Sequence, residues 1–237
     1  MRWWLVILLL LLGVARAMAA EVAERRIYGF SQDGAWFAFA EYGVNDGSGA
    51  PYATIYILDV LRDRWAKGTP VKVHFMERPG PPMVALQEAE KRAARLFARY
   101  GIAGWGRVLA SRAAAEAGGD PRRLAFFPHP LQRNAEDREA FTLREIDFPD
   151  SERCRQWGID EKGFVLHFSR DGMDFGEIYR DARVPTSRLC PAYYELADVV
   201  RYAPPTGKPR YVVLVRYYRM GFEGLDGRYL AVPTLLH

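Results

Sequence analysis

Ile27-Tyr28-Gly29-Phe30-Ser31-Gln32-Asp33-Gly34-Ala35-Trp36-Phe37-Ala38-Phe39-Ala40-Glu41-Tyr42 is the stretch that decides the fold. An Asp-Gly pair between aromatic and β-branched runs is a hairpin signal. It predicts a strand on each side of a turn at Gln32–Gly34. A loop from Gly43 to Tyr52 follows, then a third strand, Thr54–Val60, and a shorter one, Val71–Phe75. The β pattern returns after Cys154. Phe164, Leu166 and Phe168 alternate before a second Asp-Gly turn at Asp171-Gly172, and Phe175–Tyr179, Tyr193–Tyr202, Tyr211–Tyr218 and Arg228–Val232 are further strands. Tyr211–Tyr218 is the densest in Val, Leu and Tyr. Between Gly101 and Asp150 the signal is weaker, with short strands at Arg107–Ala110, Leu124–Phe127 and Phe141–Phe148 and a helical turn at Ala113–Ala117.

One segment changes period. Leu86, Ala89, Ala93, Leu96, Phe97 and Tyr100 fall on one helical face, opposite Arg92, Arg95 and Arg99. A helix over Val84–Arg99 is expected, stopped by Gly101. The fold class is therefore mainly β (α+β): antiparallel sheets in a sandwich or partial propeller, with one amphipathic helix near 84–99.

The chain has 237 residues, 33 of them Lys or Arg and 29 Asp or Glu, with 49% apolar and 26% charged residues. These proportions exclude a disordered, collagen-like or supercharged nucleic-acid-binding chain. Arginine outnumbers lysine without forming a clustered basic stretch, so no nucleic-acid partner is expected.

The start of the chain is an export signal. Arg2 precedes the apolar run Trp3–Val14, and Ala15-Arg16-Ala17-Met18-Ala19-Ala20 supplies the small residues that a signal peptidase requires. Arg16 stops the run short of the ~20 apolar residues of a membrane span. Residues 1–19 are expected to be removed, with no transmembrane anchor after cleavage, leaving 20–237 as one β-rich domain with possible sub-units 20–100 and 101–237. The predicted location is periplasmic or secreted. In such a compartment the only two cysteines, Cys154 and Cys190, are expected to form a disulfide.

Catalytic motifs are missing. The sequence has no Gly-x-Ser-x-Gly elbow, no phosphate-binding loop and no paired histidine ligands, so no cofactor and no metal are expected. Two Gly-rich loops carry the candidate binding residues. The first spans Glu41 and Tyr42 to Tyr52, with Asn45, Asp46 and Ser48 between. The second is Gly221–Gly227, which presents Glu223. Each reads either as a ligand or partner site or as an ordered connection whose side chains bond their own backbone.

Gly29–Val60 resembles one blade of a TolB-type β-propeller. GFSQDG, EYGVNDGSGAPY, the Val184–Pro191 stretch and Gly221-Phe222-Glu223-Gly224 together resemble a family of bacterial predicted secreted proteins, domain of unknown function 2259. That resemblance implies secretion and assigns no catalytic residues. The expected function is a non-enzymatic binding or interaction module, its partner an unknown envelope protein or polymer. The alternative is a secreted hydrolase using the loop carboxylates.

Overall fold

Tyr211 through Tyr218 is buried without a break. A strand with one wet face would alternate, so this one belongs to a sheet covered on both sides. The computed structural model describes residues 21–235 except 77, 130, 132, 150 and 223; the export signal lies outside the described residues. They form three antiparallel sheets. The first contains β1 (Glu24–Ser31), β2 (Trp36–Val44), β3 (Pro51–Asp59), β4 (Arg64–Trp65), β5 (Val71–His74) and, after helix α1 (Pro82–Arg99), β6 (Ile102–Trp105). β7 (Arg107–Ser111) joins the central sheet with β12 (Pro191–Tyr202), β13 (Arg210–Met220) and β14 (Leu225–Leu235). β8 (Arg123–Phe126), β9 (Glu139–Asp147), β10 (Lys162–Arg170) and β11 (Met173–Arg180) make the third. One short helical turn, α2 (Glu152–Arg155), precedes β10.

The sheets stack with the β13 sheet in the middle. Val212 and Leu214 meet Phe30, Phe37 and Phe39 of the first sheet. Tyr211, Val213 and Val215 meet Phe141, Phe164 and Phe168 of the third. α1 covers the outer face of the first sheet, where Ala85, Ala89 and Ala93 let it sit close to Ala40, Ala53 and Ile55. β1 to β4 run as an up-and-down meander, the strand order of a propeller blade, but the sheets do not close into a ring.

Polar groups tie the layers at defined points. Arg25 of β1 pairs with Asp198 of β12, which is 1% exposed, and also donates to the Ser111 hydroxyl at 3.0 Å. Arg216, fully buried in β13, donates to Glu195 at 2.7 Å and to the Arg112 carbonyl at 3.2 Å. On the other side the Tyr211 hydroxyl donates to Glu139 at 2.7 Å. Gly34 is required at the β1–β2 turn: its φ is +66° and an added Cβ would lie 2.3 Å from the Tyr202 ring. Gly106, φ +99°, lets the chain cross from the first sheet to the central one past Phe30.

The two Asp-Gly turns differ. Asp171 and Gly172 both have positive φ and close a two-residue hairpin between Arg170 and Met173, as Asp-Gly favours. The first turn is wider, held by Ser31 and Asp33 side chains. Two readings need correction. β6 was not anticipated. Ala113–Ala117 forms no helix, being too short to nucleate one. Leu96 and Phe97 pack, as expected, against Ala38, Ile57 and Tyr100, but they are only half-buried.

Cys154 and Cys190 are bonded, Cα atoms 5.4 Å apart, joining α2 to the start of β12. Replacing both by alanine should lower unfolding stability by about 2–4 kcal/mol, read from urea melts of the oxidised protein and the variant. Leu86→Ala should cost about 2–5 kcal/mol as a true core truncation, and Leu96→Ala clearly less. Equal costs would contradict the placement of α1.

Candidate functional site

The first sheet is wider than the central one. β3, β4 and β5 extend past β14, and their inward face looks into an open cleft of about 780 Å³ instead of onto a packed layer. Strand alternation decides which residues reach it. Thr54 lies opposite both Glu41 on β2 and Lys72 on β5, and Tyr52 lies opposite His74. All five line the cleft, with Tyr56 and Trp65 beyond. The second wall is β14 and the end of β13, which bring Tyr217, Arg219 and Arg228. Tyr179 and Arg188 close the third side.

Glu41 sits at the back, 5% exposed. Its two oxygens accept from the Tyr56 hydroxyl and the Tyr229 backbone N–H, both at 2.9 Å. That N–H points out from the edge of β14, so the carboxylate caps a free strand edge and ties two sheets. Burial holds the Glu41 carboxyl above the ordinary glutamate range, against the Tyr229 N–H, the Arg228 charge, the Tyr56 hydroxyl and the Arg219 charge. Burial likewise raises Asp63, opposed by Arg188. It pushes the Tyr217 phenol up to about 12, with the Glu41 charge adding.

The aromatic wall is layered. Tyr56 stacks on Phe39 with centroids 4.9 Å apart, and Trp65 covers Tyr56 at 4.9 Å while remaining 40% exposed. The Arg228 guanidinium lies 4.7 Å from the centre of the Tyr52 ring and pairs with Glu21 and Asp226. Arg188 is bonded to Asp181 at 2.6 Å.

The predicted loop residues part company. Glu41, Asn45 and Tyr52 line the cleft. Tyr42, one residue from Glu41, faces the opposite way and packs under α1. Asn45 bonds the Ala50 carbonyl and His74 Nε2. Asp46 and Ser48 form the loop tip, where Ser48 Oγ accepts from Ala50 N–H, and neither is among the cleft-lining residues. Glu223 lies outside the described residues. Its neighbour Phe222 is 83% exposed, not packed inward, and approaches Gly47, so the two Gly-rich loops are adjacent. Sequence reasoning did not single out Tyr56, Trp65, Lys72, Arg188, Arg219 or Arg228. Only the alternation from Glu41 through Thr54 could have pointed to the β3 and β5 members. Among the described residues Cys154, Glu161 and Cys190 cluster in a way that could hold a metal ion, but the two sulfurs are bonded to each other and offer no thiolate.

Glu41→Ala should strand the Tyr56 hydroxyl and the Tyr229 N–H, costing about 3 kcal/mol. Glu41→Gln keeps an acceptor for the N–H and a donor for the phenol and should cost less. The wild-type carboxyl is easier to protonate folded than unfolded. Its contribution is therefore greatest below the ordinary glutamate value of 4.5 and lost as pH rises through its raised folded value. Denaturant melts across pH 4–8 should show this fall for the wild type relative to Glu41→Gln; parallel profiles would contradict the assignment.

A family model described as "Predicted secreted protein (DUF2259)" matches residues 38–234. No curated protein and no solved structure matches the chain. No helix among the described residues is long and apolar enough to cross a membrane. The matched span runs from the middle of β2 to the end of β14 and carries every wall of the cleft. The chain belongs to this family of predicted secreted proteins, whose function is unknown.

Proposed function

We propose that the chain is an exported binding module of the cell envelope, periplasmic or secreted after signal cleavage, which engages its partner at the cleft without chemical turnover. The observation that carries this reading is the overhang itself: an open cleft lined by Tyr and Trp rings and by guanidinium groups. Aromatic and arginine side chains supply large, rigid contact area and directed hydrogen bonds, the composition of recognition surfaces. The principal carboxylate is occupied. Glu41 spends both oxygens on Tyr56 and Tyr229, and Asp46 points to the loop tip. The hydrolase alternative needs two carboxylates facing a shared substrate, and draws no support from that pair.

Trp65 is the residue to test, because it is exposed and its loss should leave the core intact. Immobilised mature protein should retain a partner from envelope extract, and Trp65→Ala should reduce retention at least about tenfold with a nearly unchanged melting temperature. Asp46→Ala should change neither quantity. Equal retention by Trp65→Ala would remove the cleft as the binding site.

A further inference from the structure

The cations of the cleft are not equally engaged. Arg64, Lys72, Arg188, Arg219 and Arg228 line it, against the carboxylates Glu41 and Asp63. Arg188 is paired with Asp181, Arg228 with Glu21 and Asp226, and Arg64 with Asp59. Arg219 differs. Among the described residues its side chain makes neither a hydrogen bond nor an ion pair, and its Nε is buried without a partner. Asp226, its partner in strand register, turns to Arg228 instead. The charge of Glu41 reaches Arg219, but both carboxylate oxygens are taken by other donors. An Nε–H buried with no acceptor is costly, and an anion brought by a ligand into the cleft that Arg219 lines supplies one. Lys72, exposed at the mouth, also has no ion pair among the described residues.

The rest of the cleft narrows what carries that anion. Trp65 presents an open aromatic face backed by Tyr56, suited to the flat C–H face of a sugar ring. A peptide added as an extra strand is disfavoured on the β14 side. The outward N–H of Gly227 already donates to the Glu21 carbonyl and that of Tyr229 to Glu41, and Pro233 has none to offer, so only the Ala231 N–H between them is left to pair. We infer that the cleft takes an acidic saccharide, a hexose ring seated on Trp65 whose carboxylate or phosphate is held by Arg219, with Lys72 as a second cation at the mouth. The inference rests on the cleft being the binding site.

Calorimetric titration of the mature full chain decides it, using trigalacturonate, the neutral trimer galactotriose, glucose 6-phosphate and inorganic phosphate as probes. Trigalacturonate or glucose 6-phosphate should bind at least about tenfold more tightly than galactotriose, and whichever binds more tightly names the anion. Arg219→Gln should abolish that preference and Arg219→Lys retain part of it. Lys72→Gln, at an exposed position, should weaken charged probes alone, and Trp65→Ala should weaken every sugar probe. Equal binding of charged and neutral trimers would overturn the anion assignment and leave the cleft reading standing. Failure of all sugar probes, with Trp65-dependent retention of envelope material intact, would overturn the saccharide class alone. Binding of inorganic phosphate as tight as that of the sugars and indifferent to Trp65 would also overturn the proposal. Loss of both sugar binding and Trp65-dependent retention would overturn the two readings together.

Discussion

The structure depends on a sheet with no wet face. Because β13 is buried on both sides from Tyr211 to Tyr218, a charged side chain within that run must find its partners inside the protein. Arg216 is the extreme case, a fully buried guanidinium answered by Glu195, the Arg112 carbonyl and the Tyr229 hydroxyl. Beside it, Arg25 and Asp198 join the first sheet to the central one. Removing one partner of such a buried pair costs about 3–5 kcal/mol, far more than a surface ion pair contributes. These contacts also fix position. Apolar layers can slide over one another at modest cost, whereas a guanidinium with several assigned acceptors cannot.

The cleft follows from the same arrangement. A central sheet of four strands cannot cover a neighbour that has gained β4 and β5 on its outer edge. The uncovered strip must hold groups that tolerate partial hydration, and tyrosine, tryptophan, lysine and arginine do so, with apolar bodies and polar ends. Glu41 stands at the boundary between packed interface and open strip. It closes the exposed edge of β14, which would otherwise offer a free donor to another chain.

Much of this architecture was legible residue by residue. The hairpin at Gln32–Gly34, the alternation through Phe164 and Phe168, the helix and the Cys154–Cys190 bridge all rest on local chemistry or on compartment, and each has the expected place. β6 was hidden because Ile102-Ala103-Gly104-Trp105 is too short to show an alternation and has strand-poor Ala and Gly at its centre; its place is set by pairing with β1. The cleft was legible in part. The loop at Glu41–Tyr52 drew notice through its glycines, but it mattered through its two ends and not its tip. Tyr42 was grouped with Glu41 by adjacency, although adjacent strand residues face opposite sides. Arg219 and Arg228 could not be found from sequence, because what distinguishes them is the presence or absence of a partner from distant strands.

One small pairing has a consequence for how the molecule is made. Val22 bridges Gly227, with the Glu21 carbonyl accepting from Gly227 and Ala23 donating to it. The start of the described chain is thus laid alongside the edge of its last strand. Contacts so distant in sequence carry a high loop-closure cost and are among the slowest to form. A chain delivered across a membrane from its amino terminus would have to wait for β14 before its leading segment had a place to dock. During that interval the backbone groups of residues 21–23 that pair with β14 are open, and folding catalysts or chaperones would meet the protein in that state.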